Sequence, residues 1–275
     1  MMTAALTWNR YGKSSIRLVK VRRSADPHDV IDLTIDVALE GAFEKVYTDG
    51  DNRGCLATDT MKNTVYAFAK VEPLDHVESF AVKLAEHFSE KPGVSLVRIA
   101  IDEHPWTRLH PHAFARAGDE VWTTVVTYVD DAASIVSGLR GLVVLKTTDS
   151  AFSGFPRDQF TTLPETRDRI LATSITAAWT YADGFEDFAQ RTAVRAALLE
   201  TFAGHKSESV QQTLYAMGEA ALAACRGVMD VQLSLPNRHH LLVDLSPFGL
   251  DNRNEIFVAT EQPYGLIEAR ISRQT

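Results

Sequence analysis

Hydrophobic and polar residues alternate in four stretches of the first half of this chain and recur at helical spacing in two others. Alternation at a period of two predicts strands, which we place at residues 15–22, 30–39, 94–101 and 121–129. Met61, Val65 and Phe68 share one helical face, and the apolar residues of 77–88 follow the same spacing. We therefore expect the order strand, strand, helix, helix, strand, strand.

The second half repeats this order. Strands are predicted at residues 139–146, 175–181, 231–235 and 240–245, with an edge segment at 255–259 and helices at 185–203 and 210–221. The simplest account is an α+β fold of two tandem ββααββ units, residues 1–133 and 134–275, each an antiparallel sheet with helices on one face. Such a sheet leaves its other face or an edge in need of a partner, which predicts an oligomer in which several units close into a barrel.

Charge and composition narrow the classes of function. The net charge of −8 over 275 residues argues against a general nucleic-acid binder, although it permits a local site for a small anion. No apolar run is long enough to span a bilayer, residues 1–10 lack a secretory pattern, and the two cysteines give no disulfide framework, so we expect a cytoplasmic protein. The sequence contains no P-loop, Gly-x-Gly-x-x-Gly or Cys-x-x-Cys motif, so it carries no fingerprint for a nucleotide, flavin, nicotinamide or zinc.

The stretch at residues 57–66 has the pattern of an exposed helix start. Thr58 or Asp59 is expected to cap it, because a short side chain that carries oxygen accepts a bond from an unpaired backbone N–H. The free N–H groups and the partial positive charge of a helix start favour an anionic ligand. Residues 209–217 are similar in sequence, so the two helix starts either face one ligand or resemble each other by chance.

Other candidates lie in loops and at strand ends. Lys13, at the start of the first strand, is either a surface lysine or a base. Phe152, in a loop rich in Gly and Pro, is suited to stack on a planar ring, and Arg169 is suited either to bind a planar anion through two bonds or to form a salt bridge. A histidine in the polar turn after Asn237 is a candidate proton carrier.

A histidine-rich segment at residues 104–114 also invites a metal assignment. Its histidines, His104, His110 and His112, surround Pro111 and lack the helical spacing of four residues that a paired metal site uses. We therefore expect this segment to be a loop without metal.

Taken together, several motifs resemble those of the urate oxidase (uricase) family, in the order that the family has them. They are YGK at 11–13, ATDTMKNTVY at 57–66, GFPRD at 154–158, TTL at 161–163, DRIL at 168–171, VQQTLY at 210–215, SLPNRH at 234–239 and PYGLI at 263–267. The resemblance extends from about Tyr11 to Ile267. A set of this size is far more specific than any one motif.

The resemblance implies tandem tunnelling-fold (T-fold) units, a homotetramer with active sites at subunit interfaces, and oxidation of urate by O2 and water to 5-hydroxyisourate and hydrogen peroxide, without a metal or organic cofactor. The proton relay then corresponds to Lys13, Thr58 and His239. The urate-binding positions correspond to Thr58, Asp59, Phe152, Arg169, Val210, Gln211, Asn237 and Ile267. The chain ends soon after Ile267, where many relatives carry a longer tail, so interface contacts from such a tail are not expected. The absence of a peroxisomal signal favours a bacterial, cytoplasmic member.

Two other functions remain open from the sequence. One is a zinc-dependent T-fold enzyme that acts on pterins or purines through the histidine-rich segment, for which activity would require stoichiometric zinc. The other is a non-catalytic purine-binding oligomer, which would bind its ligand without producing peroxide. The presence together of Lys13, Thr58 and His239 argues against the second of these alternatives.

Overall fold

The structure of the chain is a computed structural model that describes residues 4–23 and 26–274. Unit 1 comprises Met1–Gly138 and Thr180–Ala189, and unit 2 comprises Leu139–Trp179 and Gln190–Thr275. The first three residues and the last residue, which contribute to the expectations about a leader and a targeting signal, lie outside the described residues. No helix in the described part is long and apolar enough to cross a membrane.

Unit 1 contains an antiparallel sheet in the order β1-β2-β3-β6. Its strands and a separate hairpin are β1 (Tyr11–Arg22), β2 (Asp29–Gly41), β3 (Val94–Glu103), β4 (Trp106–His110), β5 (Ala113–Arg116) and β6 (Val121–Val129). Alternation along β2 buries Leu33, Ile35 and Val37 on one face, and Ile35 lies opposite Ile16 and Ile101. The four strands predicted in this half are confirmed.

Helices cover the buried face of this sheet. They are the short α1 (Glu44–Thr48), α2 (Thr58–Val71) and α3 (Val77–Ser89). Met61 and Val65 of α2 and Leu84 of α3 are fully buried, since they recur at the spacing that keeps them on one face. Helix α2 packs on β1, and α3 packs on β3 and β6. The two predicted helices are confirmed, and the short α1 was not expected.

The prediction of a loop at residues 104–114 was wrong, because strands β4 and β5 pair there as an antiparallel hairpin. Every residue of β4 is exposed, so no burial pattern marked the strand. Polar contacts hold the hairpin on the sheet: Trp106 Nε1 donates to Asp32 Oδ2 at 3.0 Å, and Arg116 Nη1 lies 3.9 Å from the same carboxylate oxygen. Such contacts leave no trace in a hydrophobic period.

Unit 2 has a sheet in the order β8-β9-β12. Its elements, together with two strands that have residues in both units, are β7 (Ala132–Lys146), β8 (Leu171–Tyr181), α4 (Arg191–Gly204), α5 (Val210–Ala224), β9 (Val228–Arg238), β10 (His240–Leu242), β11 (Phe257–Ala259) and β12 (Gly265–Ser272). Helix α5 packs on β9 and β12, where Leu214 and Met217 are buried with Leu235. Antiparallel sheets with a few helices on one face confirm the α+β class.

The first helix of unit 2 differs from its prediction. The helix expected from residue 185 begins only at Arg191, after the 3-10 turn Phe188–Gln190. The apolar residues before it form an aromatic cluster instead, with the Tyr181 and Phe185 rings stacked at 4.9 Å between centroids. These rings supplied the apolar spacing that suggested a longer helix.

The predicted strand pair at residues 231–235 and 240–245 was also wrong. Strand β9 pairs with β12, and the short β10 pairs with β11, so the expected edge segment is the partner of β10 in a separate two-stranded sheet. Strand β12 was not predicted, because its apolar residues are mostly exposed. Ile271 is the one that is buried, and Leu266 is 54% exposed. Its alternation is therefore too weak to mark a strand.

Candidate functional site

In unit 1, the backbone of β1 is irregular at Lys13. The pairing with β2 shifts register between Lys13 and Ile16, and Ser15 in this bulge has a φ of 57° while its N–H donates to Asp36 Oδ1 at 2.6 Å. A Cβ on Gly12 would lie 1.9 Å from the Val37 carbonyl oxygen, so this close approach of β1 to β2 requires glycine. A bulge re-aims the strand locally, and the half-buried Lys13 stands at its start.

The start of α2 supplies two more predicted residues. Its N-cap is Ala57, which makes no side-chain cap, and Thr58 is the first helical residue. The prediction that Thr58 or Asp59 caps the helix was therefore wrong, because both lie inside the first turn. Thr58 is half-buried. Because the side chain of Ala57 cannot accept a hydrogen bond, the first N–H groups of the helix have no partner from the N-cap side chain.

Asp59 is exposed and lies among cations. Lys62 Nζ and Asn63 Nδ2 both donate to its carboxylate, the latter at 2.9 Å. The hydrogen bond from Lys62 and its charge lower the pKa of Asp59, and the positive charge of Lys13 adds a smaller contribution. Lys13, at the start of the β1 bulge, and Asp59, in the first turn of α2, thus lie within electrostatic range of each other.

In unit 2, hydrogen bonds of residues 148–152 organise the second group. Ala151 N–H donates to the Ser207 carbonyl at 2.7 Å, which ties this segment to the approach to α5. Phe152 exchanges two backbone bonds with Thr166, at 2.8 and 3.0 Å. The Asp168 carboxylate accepts from Thr148 Oγ1 at 2.8 Å. This segment therefore connects three stretches that are distant in sequence.

These bonds place Arg169 beside Phe152. The guanidinium carbon of Arg169 lies 5.4 Å from the Phe152 ring centroid, and Phe155 stacks on Phe152 at 4.9 Å between centroids with 13° between planes. Arg169 Nε is buried and has no hydrogen-bond partner among the described residues. Burial lowers the pKa of Arg169. A desolvated cation beside an aromatic ring is suited to a planar anion.

The start of α5 lies next to this segment through Ser207. Ser209 is the N-cap, and its side chain accepts from Gln212 N–H at 3.1 Å. Val210 is 4% exposed and anchors the first turn, whereas Gln211 is exposed. The first turn of this capped helix thus presents Gln211 at the surface while Val210 fixes its position.

Strands β9 and β12 carry the remaining predicted residues. Asn237 lies opposite Gly265 and Leu235 lies opposite Ile267, so strand alternation places Asn237 and Ile267 on the face where Leu235 is buried. His239 follows β9, and its carbonyl accepts from Thr260 N–H at 2.9 Å. Asn237, His239 and Ile267 are all half-buried.

The predicted residues therefore form two groups. Unit 1 holds Lys13, Thr58 and Asp59, and unit 2 holds Phe152, Arg169, Val210, Gln211, Asn237, His239 and Ile267. Sequence reasoning missed Asp168, although it lies in the DRIL motif beside Arg169, because its role is to fix a loop rather than to contact a ligand. Among the described residues, no group of three or more His, Cys, Asp or Glu side chains is arranged to hold a metal ion.

A cavity of about 490 Å³ in unit 2 contains none of the predicted residues. It is lined by Ser174, Thr176, Ser234, Pro236, Arg238, Glu261, Gln262, Tyr264 and Leu266. Pro236 and Arg238 alternate with Asn237 along β9, so the cavity lies on the other face of the sheet. The predicted residue on β9 therefore faces away from this cavity.

Comparisons with known proteins bear on the whole chain. A model of the family described as uricase matches residues 9–127 and 135–268. A protein named uricase from Arthrobacter globiformis is 47% identical over 97% of this chain and 89% of its own length, and one from Dictyostelium discoideum is 37% identical over 98% of both. The crystal structure of the Arthrobacter globiformis uricase superposes with a TM-score of 0.95 at 46% identity, covering 99% of this chain and 96% of that one.

Proposed function

This chain belongs to the uricase family, and we propose that it oxidises urate with O2 and water to 5-hydroxyisourate and hydrogen peroxide, in urate degradation and without a cofactor. Urate supplies two electrons to O2, which leaves as peroxide, and one oxygen from water is retained in the organic product. Urate is planar, anionic and rich in electrons. The protein therefore has to hold the ring, remove protons and place oxygen.

The contact between Arg169 and Phe152 carries this proposal. A planar anion stacked on Phe152 meets a guanidinium that is already desolvated and whose Nε lacks a protein partner in the described chain. Binding such an anion gives the half-buried arginine a partner for the Nε–H group that lacks one among the described residues. Gln211, exposed on the first turn of α5, is proposed to donate to another edge of the ring.

Proton removal falls to Lys13, Thr58 and His239. A lysine amine, a hydroxyl that both donates and accepts, and an imidazole are together able to move a proton away from urate and toward the oxygen species. The described contacts support one end of this relay, since Lys13 lies within electrostatic range of Asp59, the neighbour of Thr58. His239 directly follows β9, the strand that contains Asn237.

The other residues shape the site around the ring. Asn237 and Thr58 are proposed to bind O2, peroxide or water above the urate plane through their amide and hydroxyl groups. Val210 fixes the backbone at the start of α5, Asp59 contributes polar contacts beside Thr58, and Ile267 closes the apolar side. Each role suits the chemistry of the side chain.

We assign residues 1–133 and 134–275 to two T-fold units, which assemble as a homotetramer into a barrel. The two groups of site residues lie in different units, so a complete site is proposed to form at an interface where unit 1 of one subunit meets unit 2 of another. Free Cys55 and Cys225 fit a reducing cytoplasm. Light scattering with activity measured on each fraction tests the assembly, and a fully active monomer would refute it.

An assay with the purified chain tests the reaction. Loss of urate absorbance with one peroxide formed per urate, unchanged by a chelator, is the expected result. Activity that a chelator abolishes and stoichiometric zinc restores would assign the chain to a zinc-dependent reaction instead. Urate binding without peroxide formation would make it a binding protein.

A further inference from the structure

Tyr11 joins the two stretches of unit 1 that carry the proposed relay. It is the first residue of β1, two positions before Lys13, and its Oη accepts from the Leu56 N–H at 2.9 Å, two positions before Thr58. The ring packs edge-on against Phe43, with 4.9 Å between centroids and 89° between planes. Phe43 is 2% exposed, so the Tyr11 ring is anchored to the core.

We propose that Tyr11 is a positioning residue that holds Lys13 and Thr58 at a fixed separation. This proposal rests on the proposed function, because it acts through the relay. Ala57 gives no side-chain cap at the α2 start, and the bond from the Leu56 N–H to Tyr11 ties the backbone just before α2 to the first residue of β1. A misplacement of about 1 Å at a reacting group can lower a rate about a hundredfold.

The phenol also keeps one protonation state. Burial, followed by the hydrogen bond and charge of Cys55, raises the pKa of Tyr11 to about 12, although the Leu56 N–H opposes the shift. The hydroxyl is therefore neutral at every pH where the enzyme would be assayed. Tyr11 remains the same hydrogen-bonding partner throughout this range and does not itself carry protons in the relay.

Tyr11→Phe deletes the hydroxyl and keeps the ring against Phe43. We expect turnover at saturating urate and oxygen to fall about tenfold, as expected for one lost hydrogen bond, with the Michaelis constant for urate changed less than about twofold. Tyr66→Phe is the matched control, because Tyr66 Oη donates to the Arg17 carbonyl at 3.3 Å and so also joins α2 to β1, but farther from Thr58. We expect it to retain turnover within about twofold.

A double-mutant cycle separates positioning from a general loss of stability. In a Lys13→Met background, Tyr11→Phe is expected to lower the residual turnover less than about twofold, because the group that Tyr11 positions is gone. Each rate is expressed per folded site, and the number of folded sites is measured as the number that bind xanthine, a planar purine. A structural role would lower turnover by the same factor in both backgrounds.

The outcomes distinguish the two proposals. Losses that multiply, or equal effects of Tyr11→Phe and Tyr66→Phe, would overturn the positioning role and leave the proposed reaction standing. Normal turnover in Lys13→Met would overturn the relay and with it the positioning role, whereas failure of the unmodified chain to form peroxide from urate would overturn the proposed reaction. If Tyr11→Phe does not fold, 4-fluorophenylalanine at position 11 keeps the ring and nearly the size of the hydroxyl but is a much weaker acceptor, and the same cycle with Lys13→Met then decides.

Discussion

The guanidinium carbon of Arg169 lies 5.4 Å from the centroid of the Phe152 ring, although the two residues belong to separate segments joined only by a loop. The pair is held by bonds that neither side chain makes. Thr166, three residues before Arg169, exchanges two backbone hydrogen bonds with Phe152, and Asp168 accepts from Ser150 N–H and Thr148 Oγ1. The loop thus brings a stacking surface and a cation together before any ligand binds.

Replacing Arg169 tests what this pair does. Arg169→Met keeps an unbranched apolar side chain beside Phe152 and removes the cation, and loss of one partner of a desolvated charge pair costs about 2–5 kcal/mol. Arg169→Lys keeps the charge but loses the planar fork, so we expect it to raise the Michaelis constant for urate about 10- to 100-fold. Steady-state kinetics and direct binding of xanthine measure both changes.

Arg167→Met is the control, since Arg167 lies in the same loop and is exposed. We expect its Michaelis constant to stay within about twofold of the unmodified chain, as for most surface substitutions. Unchanged binding and turnover in Arg169→Lys would show that Arg169 does not contact the substrate.

Asp168→Asn tests the support of the pair. An asparagine retains one acceptor oxygen but loses the negative charge that Thr148 and Ser150 contact, and a hydrogen bond to a charged group contributes about 1.5–3 kcal/mol. We expect the free energy of unfolding to fall by up to this amount and the Michaelis constant for urate to rise, because the loop that carries Phe152 loosens. Denaturant melts and urate kinetics give the two quantities.

Asp158→Asn is a matched control in the same loop. Its carboxylate accepts from Phe160 N–H at 2.9 Å and from Thr161 Oγ1 at 3.0 Å, which are bonds of the same kind away from Phe152. This substitution is expected to lower stability without raising the Michaelis constant. An equal rise in both variants would mean that Asp168 affects urate only through general stability.

The main sheets and helices could be predicted because burial on one face produces a period. In β2, Leu33, Ile35 and Val37 alternate and are all fully buried, and Met61 and Val65 recur along α2. The β4–β5 hairpin and β12 could not be predicted in this way, because the residues of β4 are exposed and β12 buries only Ile271. Pairing between distant segments, such as β9 with β12, is likewise absent from any local pattern.

The candidate site shows the same division. Phe152 and Arg169 are predicted from residue types that suit a planar anion, and Gln211 is predicted from the resemblance of its motif. Asp168 and Tyr11 act on backbone groups of distant segments, and a side chain bonded to a backbone N–H leaves no signature in the partner residue. The expected cap at Thr58 failed for a related reason, since the sequence does not fix the helix start to within one residue.

Acid is expected to destabilise unit 1 in part through His104. Burial is the main cause that lowers the pKa of His104 from its ordinary value of 6.5, while Asp32 opposes the shift. The unfolded chain therefore binds the proton more readily than the folded chain. The contribution of neutral His104 to the free energy of unfolding is complete above about pH 6.5 and is lost as the pH falls below that value. We expect His104→Gln to reduce the decrease in the free energy of unfolding between pH 7.5 and 5, measured by denaturant melts.

His110→Gln serves as the control for this pH dependence. His110 is an exposed histidine in the same hairpin region, so its removal takes away one titratable ring from the surface. A pH dependence that is equal in His104→Gln and the unmodified chain would assign the acid sensitivity to other groups, such as His87, whose pKa is also lowered by burial.

Lys13 and Thr58 are expected to act as one relay. In the proposed cofactor-free reaction, oxidation depends on making urate a better electron donor, so proton removal should limit the rate. Lys13→Met keeps the bulk of the stem and deletes the amine, and Thr58→Val keeps the shape and deletes the hydroxyl. A general base contributes about 10²–10⁴-fold, so we expect either change to lower turnover on this scale, with a smaller effect on urate binding.

The double variant decides whether the two groups belong together. Parts of one unit are not additive, so Lys13→Met with Thr58→Val should be little worse than the worse single variant. Thr58→Val is also expected to weaken binding somewhat, because Thr58 is proposed to touch the ligand. Turnover at saturating urate and oxygen gives the cycle. Losses that multiply would show two independent contributions, whereas near-normal rates would remove both residues from the mechanism.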